Sequence, residues 1–125
     1  MPQRRSSKPI SPRLHSLIDY GFAAGNLVLP SALGLGGRAR GLFAGFGLVQ
    51  GALNAATVQP YAVSKQVPFR LHGALERNSA PIYFGVPLLL GLQHEPRARA
   101  FWLAVGAALI TVYNLTDWDA KRTAR

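Results

Sequence analysis

The chain contains no cysteine, which excludes disulfides, thiolate metal sites and cysteine nucleophiles. Charge is also scarce. Charged residues fill 15% of the 125 positions, against roughly 25% in a typical soluble domain, and acidic residues number five beside 14 lysines and arginines. A chain of this length makes one domain. Its few charges leave long uncharged runs after Asp19, from Gly41 to Ser64, from Asn78 to Gln93 and from Ala100 to Thr116. Each approaches the roughly 17 to 25 residues that cross a hydrocarbon core of about 30 Å. A soluble four-helix protein is the alternative, and it needs a polar stripe repeating every three or four positions on each helix. Phe101–Trp102–Leu103–Ala104–Val105–Gly106 has no such stripe. The expected fold is therefore all-α, an integral membrane four-helix bundle with spans at Leu14–Leu35, Arg40–Thr57, Leu71–Gln93 and Arg97–Trp118.

A net charge of +9 could attract nucleic acid, but the positions of the charges argue for topology instead. Arg4, Arg5, Lys8 and Arg13 precede the first span, Lys65 and Arg70 lie between the second and third, and Lys121, Arg122 and Arg125 end the chain. Arg38, Arg40, Arg97 and Arg99 mark the other side. The excess of positive charge puts both termini in the cytoplasm, and the basic start reads as an uncleaved signal anchor. No nucleic acid is expected as a partner; the lipid bilayer is.

An internal repeat organises the sequence. Arg13–Leu14–His15 recurs as Arg70–Leu71–His72, and the same offset pairs Asp19 with Glu76, Pro30 with Pro87, and Leu33–Gly34–Leu35 with Leu90–Gly91–Leu92. With a two-residue slip, Gly47 then pairs with Gly106 and Thr57 with Thr116. Residues 14–58 and 71–118 thus form two copies of one helical hairpin, joined by a cytoplasmic loop (59–70) and flanked by basic tails (1–13 and 119–125). Two spans separate the copies, so the repeat is parallel and His15 and His72 enter from the same face. Trp102 and Trp118 suit the two membrane interfaces. Gly41, Gly45, Gly47 and Gly51 carry small-xxx-small spacings expected to let helices pack closely. Pro30, Pro81 and Pro87 are expected to kink or start helical segments.

The candidate chemistry sits in the repeated His-x3-carboxylate pairs. His15 and Asp19 share one helix face, as do His72 and Glu76. A carboxylate at that depth is costly unless it is partnered, which predicts one polar cluster of the four with Arg13, Arg70 and Arg77 reaching in to neutralise it. Functional readings of the cluster are a proton relay or a ligand site, with His15 and His72 as haem b ligands the less favoured case. Three scattered histidines, with His94 on the opposite side, suggest no converging metal-ligand set, so neither metal nor cofactor is expected. Ser16, Ser31 and Ser79 lack a nucleophile-elbow context, and no glycine motif opens a helix after a strand to hold phosphate.

The Arg-Leu-His-x3-Asp opening, followed by an apolar span ending in Pro30 and Leu33–Gly34–Leu35, resembles the tandem repeats of small bacterial membrane proteins of the SPW-repeat type. The resemblance covers Pro12–Leu35 and Pro68–Leu92. Leu29–Pro30–Ser31 and Val86–Pro87–Leu88 stand in place of that family's Ser-Pro-Trp, and Glu76 replaces the second aspartate. What the resemblance implies is a four-helix fold in a bacterial inner membrane, with no activity attached. The functional expectation is a noncatalytic accessory or scaffold subunit, packing against other membrane subunits or itself. A small oligomeric transporter or channel using Asp19 and Glu76 is the alternative.

Overall fold

A computed structural model describes residues 8–120, so the expectations for Arg4, Arg5, Lys121, Arg122 and Arg125 lie outside the described residues. The fold is all-α, with helices α1 (Pro12–Ala32), α2 (Gly37–Ala55), α3 (Phe69–Leu89) and α4 (Pro96–Leu115), and a 3-10 turn at Leu92–His94. Local sequence sets the ends. Pro12 occupies the first turn of α1, where a missing N–H costs nothing, and the Ser11 hydroxyl accepts the Leu14 N–H at 3.2 Å. Pro96 opens α4 in the same way.

Every helix begins and ends somewhat before the span expected from the charge pattern. The exits of α1 and α3 have one cause, because Gly34 and Gly91 adopt φ of +71° and +74°. A left-handed residue after the last turn stops a helix, and glycine takes that conformation without strain. The chain then turns Leu35 and Leu92 into the core. α4 stops at Leu115 because Thr116 is extended and pairs with Ile10: Ile10 N–H donates to the Leu115 carbonyl at 3.1 Å, and Asp117 N–H donates to the Ile10 carbonyl at 2.8 Å. The same arrangement joins Thr57 to Val67 in the other half, with Val67 N–H on Ala56 and Val58 N–H on Val67. Each repeat therefore lends its entry segment to the exit of the other.

The interior divides along the bundle. Near the 36 and 95 turns lies an apolar core of Leu35, Ala39, Phe43, Tyr83, Leu92, Ala98, Phe101 and Trp102. The other half of the interior is polar, with His15, Ser16, Asp19, Asn54, Thr57, Gln59, His72 and Thr116 all buried. Trp102 departs from the interfacial role expected of it. Trp102 is a core residue whose Nε1 donates to the Tyr83 carbonyl while Tyr83 Oη donates to the Trp102 carbonyl. Trp118 lies beyond α4 and folds back over the polar half, close enough that a Cβ on Gly73 would meet its ring at 2.7 Å. Outside, the helices present many exposed leucines, valines and isoleucines. Among the described residues one helix, Pro96–Leu115, is long and apolar enough to cross a membrane by length and composition.

The four glycines of α2 divide into two pairs. A Cβ on Gly47 would lie 2.8 Å from the Ala23 carbonyl oxygen and one on Gly51 would lie 3.3 Å from Ala23 Cβ, so these two bring α2 against α1. Gly41 and Gly45 have nothing within 4 Å and face outward, so of the four glycines expected to let helices pack closely, Gly47 and Gly51 do so within the chain. Gly47→Leu is accordingly expected to destabilise the chain by about 1–3 kcal/mol or more, since no flexible neighbour can yield. Gly45→Leu should melt like the wild type in detergent, and equal melting of the two variants would contradict this packing.

Candidate functional site

The repeated His-x3-carboxylate pairs meet where α1 and α3 cross the polar half of the bundle. His15 Nε2 lies 3.1 Å from Asp19 Oδ2 and 3.2 Å from Glu76 Oε1. His72 Nε2 lies 2.9 Å from the same Asp19 oxygen and 3.0 Å from the same Glu76 oxygen. The four atoms alternate nitrogen and oxygen around a closed ring. His15, Asp19 and His72 are sealed from solvent, whereas the Glu76 side chain keeps 20% exposure. Helical geometry explains the pairing within each repeat, because positions four apart stack on one face. The duplication explains the pairing between repeats.

The far side of each imidazole is held by the other repeat. His15 Nδ1 is 2.9 Å from Thr116 Oγ1, and His72 Nδ1 is 2.7 Å from Thr57 Oγ1. Each threonine hydroxyl already donates to its own helix, Thr116 to the Val112 carbonyl and Thr57 to the Leu53 carbonyl, both at 2.6 Å. A hydroxyl has one proton. Both threonines must therefore accept from the histidines, which puts a proton on each Nδ1. With Nδ1–H so fixed, each Nε2 donates to the carboxylates when its imidazole is protonated and presents a lone pair to the centre of the ring when it is neutral.

Aromatic rings close the site. Trp118 lies 4.7 Å from the His15 ring and 6.0 Å from the His72 ring, centroid to centroid, and Phe69 packs on all three. Below, Asn54 Nδ2 donates to the Ser16 carbonyl and Gln59 Nε2 to the Asn54 carbonyl, tying the 59–61 loop beneath α1. Asp19 Oδ1 is the exception: it is buried and receives no hydrogen bond.

The arginines expected to neutralise the cluster do not reach it. Arg13 donates through Nε to Tyr61 Oη at 2.9 Å, Arg70 pairs with Asp119 at 3.1 Å on the surface, and Arg77 lines a neighbouring cavity. Among the described residues, no arginine pairs with Asp19 or Glu76. Long charged side chains on the surface gain more from water and exposed partners than from entering a closed aromatic shell.

A second expectation also changes. The reading that no metal-ligand set converges counted three scattered histidines, but His15, Asp19, His72 and Glu76 each offer a ligand atom within 4.8 Å of the others. His94 takes no part in it. Tetrahedral bonds of about 2.1 Å would set ligand atoms about 3.4 Å apart, a few tenths of an ångström beyond the 2.9–3.2 Å hydrogen-bond distances found here. A haem between the histidines has no room, since Asp19 and Glu76 fill the plane a porphyrin would need. Asp19, named for the transporter or channel alternative, is buried at 1% exposure.

Sequence reading picked out His15, Asp19, His72 and Glu76, and it did not assign Thr57, Thr116 and Trp118 to them. Thr57 and Thr116 had a signal, because they are matched positions of the repeat. No family model, curated protein or solved structure matches the chain, so its likeness to the SPW type rests on the quoted motif alone.

Thr116→Val removes the acceptor for His15 Nδ1–H at almost constant volume. Leaving that buried donor unpaired should cost about 1–3 kcal/mol, while Thr116→Ser should recover most of it. Thermal melting of the two variants distinguishes this from a packing effect, in which serine would be the worse substitute.

Proposed function

We propose that this chain is a multi-pass membrane protein whose helices hold one divalent first-row transition-metal ion, with His15, Asp19, His72 and Glu76 as ligands. The orientation of the two histidines carries the reading. Thr116 and Thr57 fix the Nδ1–H tautomers, so both Nε2 atoms face two carboxylates in a closed shell. Holding a ligand imidazole by its other nitrogen is how proteins orient metal-binding histidines.

Charge supports the same conclusion. In the state that binds a metal, two ionised carboxylates and two neutral imidazoles carry a charge of minus two that no arginine among the described residues offsets, and without an ion protons on the two Nε2 atoms cancel it. A single such charge at the centre of a membrane helix costs about 2.5–3.5 kcal/mol on an insertion scale. One divalent ion cancels the charge and takes all four lone pairs, and the unpartnered Asp19 Oδ1 becomes available as a further ligand. Mixed imidazole and carboxylate donors suit zinc or ferrous iron.

The membrane assignment is supported by a partly polar interior under an apolar surface. Among the described residues nine polar or charged residues are buried beside eleven apolar ones, while large apolar residues such as Val28, Leu48, Val49 and Leu89 are exposed. Water would favour the opposite arrangement, whereas lipid favours it. Among the described residues only α4 reaches the apolarity of a typical span; His15, Asp19 and His72 of α1 and α3 point inward, while Arg13, Arg70 and Arg77 of the same helices are exposed.

A second reading, the noncatalytic accessory subunit, is favoured by the outward face of α2. Gly41 and Gly45 stand clear of the bundle beside Leu48 and Val49, and small residues there let another helix approach. A stoichiometric membrane partner after gentle extraction supports it.

Elemental analysis of the detergent-purified chain tests the metal directly. The wild type should carry one transition-metal ion per chain, and His15→Ala and His72→Ala should each lower occupancy at least tenfold at limiting metal. A folded wild-type chain that stays metal-free after incubation with zinc and with ferrous iron would contradict the proposal.

A further inference from the structure

The two hairpins are alike in sequence pattern but not in closure. In the first, Gly47 packs onto Ala23 and Asn26, so α1 and α2 lie close along their length. At the matched place in the second, Gly106 meets Phe84 and Tyr83, whose rings would lie 2.7 Å and 3.0 Å from an added Cβ. Asn26 and Leu27 of the first repeat are thus replaced at the matched positions of the second by the larger rings of Tyr83 and Phe84. α3 and α4 splay, and a cavity of about 620 Å³ opens between α2, α3 and α4.

His72, Glu76 and Arg77 form the polar end of this cavity beside the centre; the rest of its wall is mainly apolar, with Phe46, Leu109 and Ile110, and also carries Asn26, Gln50 and Asn114. Its volume falls within the roughly 300–1,000 Å³ of small-molecule sites. Glu76 is the one member of the four-residue centre with exposed side-chain surface, so the polar end of the cavity is the approach to that centre. Arg77, on the rim, forms no ion pair among the described residues. The flanking Val49, Ile82 and Ile110 are exposed on the outer surface, which in a bilayer faces acyl chains.

We propose that the cavity takes a single-chain anionic amphiphile, a long-chain carboxylate, entering from the bilayer with its headgroup between Arg77 and the Glu76 edge of the centre. This rests on the membrane and metal reading above. A metal-occupied centre is neutral overall, so Arg77 supplies the excess positive charge that selects an anionic head, while the apolar lining selects the chain. Carboxylate oxygens also match the ligands such an ion accepts.

A fluorescent long-chain fatty acid titrated into the detergent-purified full chain tests the proposal, with metal content measured on the same samples. Saturable binding of one probe per chain is expected, displaced by an unlabelled fatty acid and at least tenfold less well by the alcohol of equal chain length. Arg77→Gln should weaken binding at least tenfold and leave metal occupancy unchanged. Ala80→Trp and, independently, Ile110→Trp place bulk in the cavity and should abolish binding in folded protein. Equal displacement by acid and alcohol overturns the anionic-head assignment, and undiminished binding in both tryptophan variants overturns the site. A metal-loaded chain that binds no probe defeats this inference alone. A chain that holds no metal, whatever it does with the probe, defeats the reading it rests on.

Discussion

Two imidazoles and two carboxylates, buried together and drawn equally from two repeats, are the constraint around which this bundle is arranged. Either residue pair alone would put a carboxylate inside an apolar environment with one partner. Convergence gives every Nε2 two oxygens and each of those oxygens two nitrogens, at 2.9 to 3.2 Å. The threonines extend the exchange outward, since each histidine is oriented by the exit of the opposite repeat. The backbone follows the same rule, with Ile10 paired to Thr116 and Val67 to Thr57. Neither hairpin can complete its polar half alone, which explains why the duplicated unit occurs here as a pair.

Departure from symmetry does separate work. Where the first hairpin sets Asn26 and Leu27 against Gly47, the second sets the larger Tyr83 and Phe84 against Gly106. One hairpin is closed and the other is opened beside Glu76, the single exposed edge of the centre. A duplicated scaffold can hold a symmetric core and vary one copy, because the large side chains displace a helix without touching the histidines.

The four-residue centre was legible because it depends on periodicity and duplication alone: His15 and Asp19 share a helix face, and a parallel repeat brings in His72 and Glu76 at equal depth. Thr57 and Thr116 were visible as matched positions, but their contact with the histidines depends on swapped helix exits that no local pattern encodes. Arg13, Arg70 and Arg77 misled for a physical reason. Proximity in sequence suggested neutralisation, whereas Tyr61 and Asp119, distant in the chain, offered Arg13 and Arg70 exposed partners at lower desolvation cost. The glycines of α2 show the same limit, since their spacing marks two faces and only the fold reveals that Gly47 and Gly51 are inside. Helix ends were displaced because Gly34 and Gly91 stop the helices before the apolar run does.

The central claim is that one ion sits among these four side chains, and X-ray absorption at the metal edge of the purified chain tests it most directly. The account predicts a first shell of two imidazole nitrogens and at least two oxygens at about 2.0–2.2 Å, with the outer-shell scattering of two imidazole rings. A shell of oxygens alone, without imidazole scattering, would place the metal elsewhere and contradict the account.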